Sequence, residues 1–390
     1  PGWMNALMVF CGYMAFVYVP WDIFVKPAAV DEEVWFGILF YGGTAKVLAI
    51  LHWAVYAAGA YGFRRMKRWM WPWAAAYAGQ VAFGMLVWNW AYVGGWFGFL
   101  FGIIAFVPFA ALTLALWNAR ALFEAAREPL RARYGDWALV TGASAGIGSE
   151  FARALAREGF SVVLTARREE RLRELASELE KNHQVPTRVV AVDLTEPGAS
   201  EALAEAVKDL EIGLLVNNAG FGAVGRFEGQ TLERLRDMVQ LNCAVPVELT
   251  RLLLPGLLTR GRGAVVITGS VAGRQPLPLH AVYSATKAFD LLFGEALAVE
   301  LRDRGVDVLV LEPGSTQTEF ADQAGEIGAE GELPEQVVQV ALDALGRQPS
   351  VVSGWWNWLR ANLATRLLPR PLVAHVAREV VTSRVPPEKR

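Results

Sequence analysis

An octapeptide, Thr141-Gly142-Ala143-Ser144-Ala145-Gly146-Ile147-Gly148, constrains this chain more than any other stretch. It follows a short apolar run, Trp137 to Val140, and precedes a helix-like segment, Phe151 to Arg157. A strand that turns sharply on glycines into a helix presents free backbone N–H groups and the positive end of the helix dipole. Such a turn suits a diphosphate. Gly142 allows the tight turn, Gly146 lets backbone approach a pyrophosphate, and Gly148 lets the helix pack close to the sheet. An ordinary glycine-rich connection is the plain alternative, and the rest of the chain weighs against it.

With 390 residues the chain exceeds one average domain, and its composition changes along its length. Apolar residues make up 54%, charged residues only 19%, and there are 15 Trp. That is the balance of a membrane protein, with the apolar excess before Arg120. The net charge of −2 offers no general attraction to nucleic acid. Cys11 and Cys243 read as reduced, buried small residues. Four His without a His/Cys cluster give no reason to expect a metal.

Trp3 to Val19 is uncharged and long enough to span a bilayer core, which takes about 17–25 residues. A signal peptide would need a basic leader and a small-x-small cleavage site, whereas Pro20-Trp21-Asp22 follows. The acidic connector Pro20 to Glu33 leads to Val34–Phe63, apolar except for Lys46 and His52, and then to Arg64-Arg65-Met66-Lys67-Arg68. This basic cluster marks the cytoplasmic face. Counting back from it starts the second span near Gly43, so that Lys46 snorkels outward and Val34–Gly42 is left as an interfacial or re-entrant piece. His52 then lies near mid-depth, either a functional group or a neutral imidazole bonded to a neighbouring helix. The third span, Trp69 to Val93, carries aromatic belts at both ends, with Gln80 and Asn89 as helix-helix bonding groups. The fourth, Trp96 to Trp117, follows the Gly94-Gly95 turn and precedes Arg120, Arg127, Arg131 and Arg133. Four spans put both basic stretches on one side, with the N-terminus and everything after Arg120 in the cytoplasm.

Residues 1–118 therefore read as an all-α transmembrane domain of four helices, 119–135 as an amphipathic linker helix at the membrane surface, and 136–390 as a cytoplasmic domain. In the last, short β-branched runs alternate with charged helical segments, the pattern of a parallel sheet wrapped by helices. Strands are expected at Ala138–Thr141, Ser161–Thr165, Arg188–Val192, Leu214–Asn217, Ala264–Thr268 and Asp307–Leu311, with helices at Arg167–Lys181 and Ala199–Lys208.

The glycine turn, Asp193-Leu194, Asn217-Asn218-Ala219-Gly220, Asn242, Ser270, Tyr283-Ser284-Ala285-Thr286-Lys287 and Pro313-Gly314 occur in one order and spacing. As a set, from Trp137 to Phe320, they resemble the short-chain dehydrogenase/reductase family. The resemblance implies an α/β fold with a Rossmann-type doubly wound parallel sheet. From the residues themselves, Tyr283 and Lys287 are four apart and share a helix face, so the ammonium can stabilise the phenolate and move Tyr283 toward a value useful at neutral pH. By resemblance, Tyr283 is the general acid in reduction, Ser270 orients and polarises the carbonyl, Lys287 also holds the nicotinamide ribose, and Asn242 completes a proton relay through water. A surface helical pair is the plain alternative for Tyr283 and Lys287.

The second strand ends in Ala166-Arg167-Arg168 rather than in an acidic residue that would bind a ribose 2′-hydroxyl. A guanidinium there suits a 2′-phosphate, which favours NADP(H), with Arg167 as its partner and Arg168 a solvated helix-start charge. The family pattern further implies that Ser144 and Ile147 of the turn belong to the cofactor site. Asp193 would meet the adenine, Asn218, Ala219 and Gly220 would line the cofactor, and Thr318, after Pro313 and Gly314, would touch the nicotinamide end. The Gly- and acid-rich stretch Ala321–Leu333 lies where the family has its mobile substrate lid. The tail, with Trp355, Trp356, Trp358, Arg360, Arg366 and Arg370, reads either as a core helix with exposed arginines or as a membrane-surface contact at the mouth of the site.

Taken together, the sequence points to hydride transfer between NADP(H) and a carbonyl or hydroxyl on an apolar substrate such as a sterol, isoprenoid or long-chain ketone. This is similar to membrane-bound reductases of ketoacyl, ketosphingoid and steroid substrates. The composition leans to a bacterial inner membrane, and the resemblance implies a homodimer paired through the helices after Leu232 and Tyr283. Two rival readings stand: a nicotinamide sensor regulating a transport or receptor domain centred on His52, and a membrane domain that is only an anchor.

Overall fold

The computed structural model describes residues 2–64, 66–67, 69–124, 129–327 and 331–390. Its contacts divide the chain into two compact units, 1–128 and 129–390. Arg65, Arg68 and Arg127 of the basic stretches, and residues 328–330 of the acid-rich loop, lie outside the described residues.

In the first unit a helix runs continuously from Gly2 to Phe24. It passes the expected stop at Val19: a widened turn, Met14–Tyr18, directly precedes Pro20 and lets the helix continue past a residue that has no N–H to donate. The piece expected to be interfacial or re-entrant falls in an antiparallel hairpin of β1 (Glu32–Trp35) and β2 (Ile38–Tyr41), turned on Phe36 and Gly37, both with positive φ. Helices follow at Gly42–Arg64, at Met70–Trp88 prolonged to Val93, and at Gly95–Asn118. Gly94 and Gly95, both with positive φ, make the last turn. The two helices they join pack closely through Gly98 and Gly102, where a Cβ would lie 2.6 Å from Asn89 O and 3.2 Å from Leu86 O. Among the described residues, Gly2–Phe24 and Gly95–Asn118 are long and apolar enough to cross a membrane, whereas Gly42–Arg64 and Met70–Val93 fall short of the same hydropathy measure. A third such helix, Leu232–Arg260, belongs to the second unit, where Leu249 and Leu257 are buried in its core.

The connector is pinned by charge. Asp31 is 2% exposed, 2.7 Å from Lys26 Nζ and 3.0 Å from Lys46 Nζ, and Lys46 also donates to the carbonyls of Lys26 and Asp22. His52 bonds not to a neighbouring helix but to the hairpin: its Nδ1 lies 2.5 Å from Glu33 Oε1, and its ring stacks on Trp35. The expected linker helix is two short ones, Arg120–Glu124 and Leu130–Tyr134, and each closes onto its own unit. Phe123 is buried with Phe63 and Met70, and Tyr134 is buried in the core of the second unit.

The second unit is built on a seven-stranded sheet in the order β5-β4-β3-β6-β7-β8-β9, parallel throughout. The strands are β3 (Trp137–Thr141), β4 (Ser161–Ala166), β5 (Thr187–Ala191), β6 (Ile212–Asn217), β7 (Gly263–Thr268), β8 (Val306–Glu312) and β9 (Ser350–Val352). Their near-continuous Val, Leu and Ile runs fit burial on both faces, with helices on each side. Six of the strands are those the sequence pattern predicts; β9, three residues at the edge, is too short to show a period. The chain winds outward from β3 to β5 and then crosses back to β6, which opens a crevice at the carboxyl ends of β3 and β6.

Two expectations for later segments change. The acid-rich lid stretch begins as a short helix, Phe320–Ala324. The Trp355–Leu359 helix is no core element, since Trp355 is 60% exposed and Trp356 58%.

Phe151, fully buried, anchors the helix that follows the glycine turn to the core. Phe151→Ala should cost about 3–5 kcal/mol and lower the melting temperature of this unit by on the order of 10 °C, followed by circular dichroism or a thermal-shift assay.

Candidate active site

The site begins where β3 ends. Thr141 Oγ1 accepts from the amides of Asn218 and Ala219, both at 2.9 Å, and Asn218 Nδ2 donates to Thr141 O at 3.0 Å. Thr268 Oγ1, at the end of β7, donates to Asn218 Oδ1 at 3.3 Å. One asparagine thus ties three strand ends together. The glycine turn fits tightly over them: a Cβ on Gly148 would lie 2.2 Å from Gly142 O, and Gly142 has φ +68°. Gly146, at φ +57°, faces Thr318, whose methyl would stand 2.9 Å from an added Cβ. Ile147 packs against the core beneath.

The helix Gly146–Arg157 starts without a side-chain cap, so its first amides are free to meet an anion. This cradle fits a dinucleotide pyrophosphate. Asp193 stands farther along the sheet ends, with Oδ1 accepting from Thr195 N at 3.0 Å and Thr195 Oγ1 at 2.7 Å. Burial works to raise its pKa, but the Thr195 bonds and the nearby Arg167 outweigh that and hold the carboxyl below its ordinary value.

The two arginines after β4 divide differently from the sequence expectation. The Arg167 side chain is 71% exposed, with Nη1 3.6 Å from Asp193 Oδ2. Arg168 is no solvated helix-start charge. It donates to Ser144 Oγ of the glycine turn from Nη2 at 3.1 Å, and its Nη1 lies 2.8 Å from Glu319 Oε2. Arg171 completes this bridge to Glu319 at 2.6 Å, and the two guanidinium groups hold the Glu319 carboxyl below its usual range.

On the other side of the crevice lie the remaining polar residues. Asn242 is 1% exposed in a widened turn, Gln240–Ala244, inside the helix Leu232–Arg260. Its Oδ1 accepts from Phe221 N at 3.1 Å, and its Nδ2 donates to Phe221 O and to Thr286 Oγ1, each at 3.0 Å. Gly220 packs against it: a Cβ there would sit 2.9 Å from Asn242 Oδ1 and 3.8 Å from Lys287 Nζ. Ser270, just past β7, accepts from Ala272 N at 3.1 Å and donates to Pro313 O at 3.4 Å, close enough to Tyr283 to act on its phenol. Tyr283, in the first turn of the helix Ala281–Leu301, has Phe320 at 5.5 Å and His280 at 6.4 Å between ring centroids. Pro313 O accepts from Val271 N, and Asn357 packs so closely on Gly314 that an added Cβ would meet its Nδ2 at 2.2 Å.

Lys287 is buried and does not stand alone beside the phenol. Its Nζ donates to Thr268 O at 2.7 Å and to Asp290 Oδ2 at 2.9 Å, and Asp290 is itself 1% exposed. Burial acts to lower the Lys287 pKa, but the Asp290 carboxylate and Tyr283 more than offset it, so the amine stays charged. Burial raises the Asp290 pKa against the pull of Lys287. The Tyr283 phenol is also raised, first by burial and further by Glu326 and Asp290, with Lys287 and Ser270 acting to lower it. Against the expectation of a phenol drawn toward neutrality, burial outweighs the pull of Lys287, whose ammonium is also shared with a carboxylate. At neutral pH the phenol carries its proton, the form that can donate.

Asp290 escaped the sequence reading, although its place three residues after Lys287 puts it on the same helix face. Arg274 also escaped it. Its Nε and Nη2 form a bidentate pair with fully buried Glu312 at 2.5 and 2.6 Å, and Nη1 donates to Asn362 Oδ1 at 3.1 Å, so the Ser270 loop, the end of β8 and the tail are fastened together.

A glycine cradle at the switch point of a parallel sheet, facing a Ser, Tyr and Lys, defines a dinucleotide-dependent oxidoreductase. A match to the short chain dehydrogenase family spans residues 136–327. The chain is 33% identical over 235 residues to the 7beta-hydroxysteroid dehydrogenase of Mediterraneibacter gnavus, covering 58% of this chain and 89% of that one. It is 33% identical over 238 residues to the very-long-chain 3-oxoacyl-CoA reductase of Macaca fascicularis, covering 59% and 76%. A short-chain dehydrogenase from Sphingobium yanoikuyae in complex with NADPH superposes with a TM-score of 0.54 at 32% identity, covering 60% of this chain and 96% of that one. This chain belongs to the short-chain dehydrogenase/reductase family and is an NADP(H)-dependent oxidoreductase of CH–OH and C=O groups.

The two arginines make separate predictions. Arg167→Ala should weaken NADPH binding by about 10–100-fold, the value of one or two charge-assisted bonds, and leave NADH nearly unchanged. Arg168→Ala should weaken both cofactors alike, because it loosens Ser144. Fluorescence titration with each cofactor checks this, and loss of NADPH preference in Arg168→Ala alone would reverse the assignment.

Proposed function

We propose that this protein is a membrane-embedded reductase that converts a carbonyl on a hydrophobic lipid to the alcohol. The observation that carries the reading is the convergence of Ser270, Tyr283 and buried Lys287 beside the glycine cradle, in a chain whose first unit holds helices apolar enough to cross a bilayer. The relatives that act on a steroid and on very-long-chain 3-oxoacyl-CoA support an apolar substrate. The first unit is then the membrane domain, with the catalytic unit on the cytoplasmic side of a bacterial inner membrane. A face of exposed Phe289, Leu292 and Val299 on the helix Ala281–Leu301 supports pairing into a homodimer.

NADPH, when bound, supplies the hydride. The glycine turn with Ser144 and Ile147 holds its pyrophosphate, Arg167 its 2′-phosphate and Asp193 its adenine, while Asn218, Ala219, Gly220, Pro313, Gly314 and Thr318 line the rest. Ser270 donates a hydrogen bond to the substrate oxygen and polarises the carbonyl. Tyr283 releases its phenolic proton to that oxygen as negative charge develops there. Lys287 stabilises the phenolate so formed and binds the nicotinamide ribose. Asn242 holds the Phe221 and Thr286 segments that flank a water route by which the proton returns.

Tyr283→Phe should retain NADPH binding and lose about 10²–10⁴-fold in kcat. The variant also serves as a trap: lipids that copurify with it, identified by mass spectrometry, are offered to the wild type with NADPH. An enriched carbonyl lipid that the wild type consumes supports the reading. Absence of any retained carbonyl compound, with no NADPH turnover on a panel of lipid ketones, would sink it.

Burial is the main reason the Tyr283 phenol is high; Asp290→Asn removes one charge that raises it further and leaves Lys287 free to draw it down. The alkaline limb of kcat/KM for reduction should therefore move to lower pH. A limb that stays in place or moves upward would show that the Lys287–Asp290 pair does not tune the phenol.

A further inference from the structure

The last forty residues carry more apolar surface than the fold covers. In the helix Arg370–Thr382, Val373 and Ala377 are buried, and Val381 packs on the cluster that includes Phe320. Successive residues of a helix are about 100° apart, so Leu372, Val376 and Val380 form a second stripe immediately beside this one. All three are exposed, Val376 by 50%. The apolar arc thus spans about half the helix circumference, and the protein covers only part of it. Exposed Leu368 precedes the stripe, and before it Trp355 and Trp356 stack on each other at 4.2 Å between centroids while both remain exposed.

The charges around this surface have one dominant sign. From Trp355 to Arg384 there are five arginines, 360, 366, 370, 378 and 384, against the single carboxylate of Glu379. Arg360, Arg366, Arg370 and Arg378 are exposed. Tryptophans, an aliphatic stripe and flanking arginines match the interfacial layer of an anionic bilayer, where apolar side chains enter the acyl boundary and guanidinium groups meet phosphate. The same segment is fastened to the site by Asn357 against Gly314, by Asn362 to Arg274 and by Arg384 Nη1 to Ser315 Oγ at 2.6 Å.

We propose that residues 355–380 dock on the surface of an anionic lipid bilayer, a membrane contact made by the catalytic unit itself. The proposal rests on the reading of the chain as a membrane reductase. It gives an apolar substrate a lipid-facing approach beside Phe320 and Tyr283.

The test places a nitroxide label at Val376→Cys, Val380→Cys and Arg378→Cys of the full chain, the last on the opposite side of the helix from the stripe, in a Cys11→Ala/Cys243→Ala background. The protein is reconstituted in vesicles of phosphatidylcholine and phosphatidylglycerol. At 376 and 380, collision with oxygen should exceed collision with a water-soluble nickel complex, and the order should reverse at 378. Adding Arg366→Glu and Arg370→Glu should move the labels at 376 and 380 at least halfway toward the water-exposed value. Nickel accessibility at all three positions would overturn the proposal, as would dipolar broadening showing that a second copy covers the stripe. NADPH binding and lipid-ketone turnover are read in the same samples. Loss of turnover with lipid-buried labels would strike the reductase reading alone, and water-exposed labels on an active enzyme would strike the docking alone.

Discussion

Two backbones meet at the carboxyl ends of β3 and β6, and everything functional in the second unit depends on how closely they approach. The Thr141 hydroxyl holds the amides of Asn218 and Ala219, and the Asn218 side chain returns a bond to Thr141 O and accepts another from Thr268. A parallel sheet reverses its winding direction here, so neither strand end has a following helix on the same side to cover it. The gap left is the cofactor crevice. Its floor has no room for side chains, as the approach of Gly148 to Gly142 O shows. Gly148 is required by contact, and Gly142 by contact and by its dihedral angle.

Above that floor the chemistry is governed by buried charge. Lys287 could not keep an isolated ammonium in a site this enclosed without a large desolvation cost. Asp290 offsets that cost, and in doing so it reduces the influence of Lys287 on Tyr283. Arg274 and Glu312 solve a similar problem a few residues away, where their bidentate pair fastens the Ser270 loop to the end of β8. Breaking such a pair by removing one partner costs about 3–5 kcal/mol, so the loop that carries Ser270 is held firmly. The Arg168–Glu319–Arg171 bridge differs in being half exposed. It links the glycine turn to the segment leading into the Phe320 helix, and its strength falls with salt.

The first unit follows different rules. Glycine and alanine, among them Gly98, Gly102, Ala49, Ala75 and Ala82, let its helices approach closely, while Phe63, Met70, Leu116 and Phe123 fill a buried cluster. Some of its polar groups find partners at short range, Asp31 with Lys26 and Lys46 and His52 with Glu33. Buried Gln80 Oε1 has no hydrogen-bond partner among the described residues, and Asn89 Nδ2 donates within its own helix to Met85 O, so neither forms the expected helix-helix bond. The family match begins at residue 136, so nothing in it covers these helices.

Much of the second unit was legible in the chain. The period and flanks of the strands located six of seven, because a strand buried on both faces must be apolar along its length. The glycine turn stood out by its own pattern and Tyr283 and Lys287 by sharing a helix face, whereas Asn242 and Ser270 were marked by the resemblance to the family. What spacing could not supply was pairing across the fold. Asp290 is an ordinary helix residue until burial brings its carboxylate to Lys287, and Arg167 and Arg168 are adjacent charges until the turn after β4 sends one toward Asp193 and the other to Ser144. The hairpin at Glu32–Tyr41 was hidden because four-residue strands beside a long apolar helix carry almost no period. The exposed stripe of Leu372, Val376 and Val380 reads in sequence like any core-facing helix. Only the packed structure shows which half of that apolar arc the protein covers, because burial depends on what lies opposite a side chain, and a linear sequence does not record that.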